Sequence, residues 1–259
     1  MKMRNFVRFI FYFLAIFTNL VLAAATVSSQ EETQLDPGYD AIVGLGPNCT
    51  AKSAINQYCS KKSAELEITD TDKITFGSYP FDWMCILNYR KLIENLHMNF
   101  LGFFKKESLS LLAHDYDGKV YKSVYDSSNE MLWNHLFSKP DDYETTPEIF
   151  ESEYAEKSEK ISYLLEKFKN LKEKRTLYVI VSPAFSADLL LELVSALKSY
   201  RQENTNFTLL CFHQSAQEYD LENLSVRHLD SVAFSNMSMA RFSEVIENDF
   251  PLKIFKEVH

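Results

Sequence analysis

Cysteine is scarce in this chain, with only Cys49, Cys59, Cys85 and Cys211 among 259 residues. That is too few for a disulfide-built scaffold. No two are spaced C-x-x-C, which removes the usual ligand pattern of a structural zinc site and that of a thioredoxin-type redox pair. No metal or cofactor is therefore expected. Two bridges, one bridge with two thiols, or four thiols are all compatible with the spacing. The G-x-S-x-G elbow is missing too: Ser182 follows an apolar segment without flanking glycines, which argues against a serine hydrolase of the α/β-hydrolase type. There is no internal repeat and no low-complexity tract. An excess of positive charge is also lacking. The formal charge is −9, which disfavours a nucleic-acid partner or an anionic membrane surface.

One long apolar run is present. Lys2, Arg4 and Arg8 precede an almost unbroken apolar stretch from Phe9 to Ala25 that closes on three alanines, the pattern of a secretory signal with a small-residue cleavage site. Residues 1–25 are read as that signal, and its removal takes the charge from −9 to −12. The alternative is an uncleaved signal anchor, since the run approaches the roughly 17 to 25 residues that span a bilayer. No second run of that length occurs, so no membrane association beyond the N-terminal signal is expected. The mature protein would be secreted, periplasmic or within the secretory pathway. N-x-Ser/Thr sequons at Asn48, Asn206, Asn223 and Asn236 would make it a glycoprotein in a eukaryotic route.

Residues 26–38 form a polar linker, and 39–259 are expected to be a single α/β domain. A buried strand is expected at 39–45, then the turn Gly46-Pro47-Asn48 and a helix opening near Cys49. Residues 60–75 read as a polar loop, and 89–101 as a helix. Short strands are expected at 121–125 and 131–133 around the turn at 126–129. The second half alternates a long amphipathic helix at 147–174, a strand at 176–181, a helix capped by Ser186 and running to about residue 201, strands at 207–212 and 225–229, and a helix at 238–248. Strands alternating with helices imply a mainly parallel sheet covered on both faces, in Rossmann-like or flavodoxin-like layers.

Three features carry chemistry. The first is the sequence Gly44-Leu45-Gly46-Pro47-Asn48-Cys49 between strand and helix. A thiol at a helix N-terminus faces unpaired backbone N–H groups that stabilise a thiolate, and the carboxyl end of a sheet strand is where open α/β sheets bind ligands. Cys49 could equally be a half-cystine or a buried thiol. The second is Pro80-Phe81-Asp82-Trp83, in which a carboxylate beside a tryptophan either orients an imidazole or caps the next helix. The third is His135 in Trp133-Asn134-His135-Leu136-Phe137, a base or a histidine held in the core. His114, His213 and His228 are further possible bases without a local partner.

Taken together, these stretches resemble a family found mainly in bacteria and described as papain-like cysteine peptidases. The resemblance lies in Leu45-Gly46-Pro47-Asn48-Cys49, Pro80-Phe81-Asp82-Trp83, the phenylalanine-rich 100–104, and His135-Leu136-Phe137, over roughly residues 40–182. It implies Cys49 as nucleophile, His135 as general base and Asp82 as the orienting residue, with Gly46, Asn48 and Trp83 lining the site. Leu136 departs from the acidic residue usual after the histidine, and Glu159-Lys160 stands where a basic pair is expected. The resemblance implies an exported cysteine-dependent hydrolase with its substrate left open. Two other readings remain: a non-catalytic secreted binding domain, with Cys49 bridged, Cys59 being the nearest partner in sequence; and a glycan-related transferase on a Rossmann-like fold, which would need basic residues around the Gly46 turn.

Overall fold

The computed structural model describes residues 38–68, 78–116, 119–139, 144–182, 185–214, 217–231 and 237–256. The signal, most of the linker, the sequon at Asn236 and most of the segment expected as a loop after residue 68 lie outside them. The described residues belong to one unit beginning at Gly38.

The fold is α/β, with two sheets. The larger has the order β1 (Ala41–Gly44), β6 (Thr176–Val181), β7 (Phe207–His213), β9 (Leu224–His228) and β8 (Tyr219–Leu221). Its first four strands pair in parallel, and β8 adds an antiparallel edge. Strands β1 and β6 are buried at every position, as expected where both sides of a parallel sheet are covered. Alternate residues go to opposite sides. Val43, Tyr178, Ile180, Leu209 and Cys211 pack with α3 (Pro147–Lys169) and α4 (Ala187–Tyr200). Ile42, Leu177, Val179, Leu210 and Phe212 pack with α1 (Thr50–Glu65) and α5 (Met239–Asp249). A short α6, Lys253–Lys256, comes last.

The second sheet has the order β2 (Cys85–Ile86), β5 (Met131–Trp133), β4 (Lys119–Asp126) and β3 (Leu109–Tyr116), with every pairing antiparallel. The helix α2 (Tyr89–His97) connects β2 to this sheet's remaining strands. An aromatic junction ties the two halves together. Phe168 of α3 has ring contacts with Tyr79, Phe81, Phe100, Tyr178 and Tyr200. It is fully buried.

Caps set the helix starts. Thr146, Ser186 and Ser238 each accept from the backbone N–H three residues on, and Asn88 accepts from that of Arg90. Such side-chain oxygens satisfy donors that a helix start leaves open. Several expectations need correction. Residues 60–65 continue α1 instead of forming a loop, because Ser63 and Cys59 turn inward while Lys61 and Lys62 pair with Glu65 on the outer side. Helix α2 ends at His97 and α3 at Lys169, each followed by turns. Strands β2, β3 and β8 have no counterpart among the strands expected from sequence, and the second sheet is antiparallel where a mainly parallel sheet is expected, because β3, β4 and β5 pair as hairpin neighbours instead of through crossover helices.

Candidate functional site

The turn after β1 is built by glycine. Gly46 has φ of +81°, and a Cβ there would stand 3.0 Å from Tyr89 Oη and 3.1 Å from Ile86 Cδ1, so both conformation and space require glycine. The Gly46-Pro47 peptide is cis. Two hydrogen bonds clamp this turn to β2 and the start of α2: Ile86 N–H donates to Pro47 O at 2.7 Å, and the buried Tyr89 hydroxyl donates to Leu45 O at 2.7 Å. Asn48 is exposed, and its Oδ1 accepts from Thr50 N at 2.9 Å. Cys49 is the N-cap residue of α1, half-buried and not bridged to another described cysteine.

A cleft of about 510 Å³ opens at the carboxyl ends of β1 and β6, with Pro47, Ile86, Tyr89, Ser182, Phe185 and Asp188 among the residues on its wall. Its size falls in the usual range for small-molecule sites. The Phe185 ring meets that of Tyr89 edge-on at 4.5 Å.

The Pro80–Trp83 motif is a 3-10 turn and does not cap the next helix. Asp82 Oδ2 accepts from Tyr79 N–H at 2.7 Å, closing its own turn, while Asn88 caps α2. Asp82 is buried and pairs with Lys52 at 3.2 Å. Burial pushes its carboxyl up, and Lys52, the Tyr79 N–H and Lys167 pull it back. Its second oxygen is buried without a hydrogen bond, as are Tyr79 Oη and Trp83 Nε1. Two lysines of α3 cover the same turn: Lys160 lies 4.1 Å from the Trp83 ring centroid and Lys167 5.1 Å from that of Tyr79. Neither is visible from the motif, because α3 is remote from it in sequence. Lys160 nonetheless faces the tryptophan from the region where the resemblance leads one to expect a basic pair.

His135 lies just after β5 and is exposed, although its neighbours Trp133, Leu136 and Phe137 are buried, so it is not a core histidine. Partial burial by its surroundings and the nearby Lys139 charge hold its imidazole below the ordinary range. Thus Asp82 is joined to α1 three residues past Cys49, whereas among the described residues no hydrogen bond or ion pair joins His135 to Cys49 or to Asp82.

The other cysteines differ in setting. Cys59 and Cys211 are fully buried, and burial drives Cys211 up to about 12 and Cys59 further still. A Cys49–Cys59 bridge is ruled out by geometry: both sit on one helix ten positions apart, about 15 Å at the helical rise, against the roughly 7 Å a disulfide allows between Cα atoms. Cys85 is half-buried at the clamped segment, and its thiol is raised by burial and then by Cys49. Nothing in the spacing of Cys85 marks it in the sequence; the bonds from Ile86 to Pro47 and from Tyr89 to Leu45 join its segment to the turn.

Of the other bases weighed from sequence, His213 is buried at the end of β7, and His228 Nε2 meets the Asp230 carboxylate at 3.3 Å. Among the described sequons, Asn206 is exposed, but the Asn223 side-chain nitrogen donates to Thr205 O at 2.7 Å and Phe207 O at 2.6 Å. A glycan there would remove at least one of these two donors.

No protein-family model, no curated protein and no solved structure matches this chain. The resemblance to the cysteine peptidase family rests on the motif residues themselves.

Proposed function

We propose that the chain is an exported, cysteine-dependent hydrolase or acyl-transfer enzyme on a Rossmann-like sheet, with Cys49 as nucleophile. The observation that carries this reading is the position of Cys49: half-buried at the start of α1, in the same turn as Pro47, which lines the cleft, although Cys49 is not itself among the lining residues, while Cys59 and Cys211 are sealed in the core. The Cys49 sulfur attacks a carbonyl held in the cleft and forms a thioester as the leaving group departs. Water then cleaves the thioester and returns the thiol. His135 is the proposed base, taking the thiol proton and giving it to the leaving group. Its hydrogen bond to sulfur would form only as substrate binds, as catalytic hydrogen bonds often do. Asp82 acts at a distance from the reacting atoms, fixing Lys52 and with it the first turn of α1.

The test is hydrolysis of a panel of chromogenic acyl esters and peptide anilides by the reduced mature chain. Cys49→Ala is expected to abolish turnover, and His135→Ala to lower it by about 100-fold or more. Turnover that survives Cys49→Ala would contradict the reading. A binding domain without catalysis is the second reading, favoured by the absence of a hydrogen bond between His135 and Cys49 among the described residues, and it predicts no turnover in any variant.

A further inference from the structure

We infer that Cys49 and Cys85 form a reversible disulfide that closes the β1–α1 turn onto β2 and takes the Cys49 thiol out of use. Both cysteines are half-buried thiols, unlike the core pair. Their segments are held side by side at two points. Ile86, next to Cys85, donates its N–H to Pro47 O at 2.7 Å, and Tyr89 donates its hydroxyl to Leu45 O at 2.7 Å. The first of these puts the backbones of Pro47 and Ile86 in direct contact, and Cys49 and Cys85 lie two residues and one residue from that contact; a disulfide needs their Cα atoms within about 7 Å. The influence of the Cys49 charge on Cys85 agrees with this proximity. Gly46 contributes by keeping the turn close: any larger residue would press on Ile86 and Tyr89, the side chains flanking the contact.

The chemistry balances with a disulfide oxidant, such as oxidised glutathione or a dithiol oxidase. The thiolate of one cysteine attacks the oxidant and releases one thiol. The second cysteine then displaces the other half, forming the S–S bond and a second thiol, so that two electrons and two protons pass to the oxidant. Either thiol can react first, the other then resolving the mixed disulfide. The pairing itself does not depend on Cys49 being a nucleophile toward carbonyls. Its consequence, a switch on activity, rests on the proposed function above.

The experiment incubates the full mature chain in mixtures of reduced and oxidised glutathione, traps free thiols by alkylation, and maps peptides by mass spectrometry. The expected result is a Cys49–Cys85 cross-linked peptide that rises with the oxidised fraction and vanishes on reduction, while Cys59 and Cys211 stay as thiols. In Cys85→Ser, Cys49 should stop at the mixed disulfide with glutathione, and circular dichroism reports whether that variant keeps its fold. The wild-type cross-link decides the matter even if the variant unfolds. Cys49 bridged elsewhere, left as a thiol, or ending as a stable glutathione adduct in the wild type would overturn the inference. If the cross-link forms and the reduced chain hydrolyses nothing, the pairing stands and the hydrolase reading falls.

Discussion

Strands β1 and β6 of the larger sheet and the β3–β4 ribbon of the smaller one bury their residues to very different extents. In the five-stranded sheet β1 and β6 have no exposed position, and their apolar runs are long enough to be read directly from sequence. In the four-stranded sheet the β3–β4 ribbon leaves apolar side chains open, with Leu112 40% and Val120 63% exposed. The first sheet therefore holds the molecule together, and the second positions what surrounds its carboxyl edge: the Pro80–Trp83 turn, Cys85 and His135 all flank or belong to it. A parallel sheet gains from burial on both sides, whereas an antiparallel one tolerates a wet side and can be varied at lower cost.

Substitutions can break that comparison. The largest expected effect is at the junction: Phe168→Ala should cost about 3 to 5 kcal/mol by the usual penalty for emptying a buried aromatic site, read as a drop in urea midpoint. A smaller loss would mean that the two halves do not share one core. Next comes Arg201, 1% exposed at the end of α4. Its guanidinium donates to Leu171 O at 2.8 Å, Lys174 O at 2.7 Å and Asn206 O at 3.2 Å, binding the approaches to β6 and β7. Arg201→Met should destabilise by about 3 kcal/mol, since it strands buried carbonyls; equilibrium unfolding checks this. Leu177→Ala in β6, fully buried, should cost about 2 to 5 kcal/mol.

The Asp82 carboxyl gives a pH-dependent test of the second region. Burial, its largest influence, raises it above its ordinary 3.8. Its contribution to stability is therefore fully present below that ordinary value and is lost as pH rises through the higher folded value. Urea unfolding at about pH 3 and about pH 7 should show the stability of the wild type relative to Asp82→Asn falling as pH rises. A pH-independent gap would show that burial does not dominate at Asp82. The smallest effect is expected on the ribbon, where Val120→Ala should change stability by no more than about 0.5 kcal/mol. A loss like that of Leu177→Ala would erase the distinction between the sheets.

The same contrast explains what can be read from sequence. Strands β6, β7 and β9 and the helices capped by Ser186 and Ser238 are legible because apolar runs and capping residues are local signals. Strand β3 is not: Leu111-Leu112-Ala113 has no two-residue alternation, and its state is decided by its ladder with β4. The extension of α1 to Glu65 is hidden because its polar surface residues look like a loop when read alone. At the site, Cys49 and the Pro80–Trp83 turn can be picked out. The contacts of Lys160 and Lys167 with that turn, and Cys85, cannot, because α3 and the bonds of Ile86 and Tyr89 to the turn bring them there from remote positions in the chain.

The most direct measurement for the central claim is intact-protein and peptide mass spectrometry of the reduced chain after brief exposure to an activated acyl ester. The account predicts a single acyl adduct on Cys49 that decays in water and forms more slowly in His135→Ala. An adduct on another residue, or none on a Cys49 shown to be reduced, would contradict it.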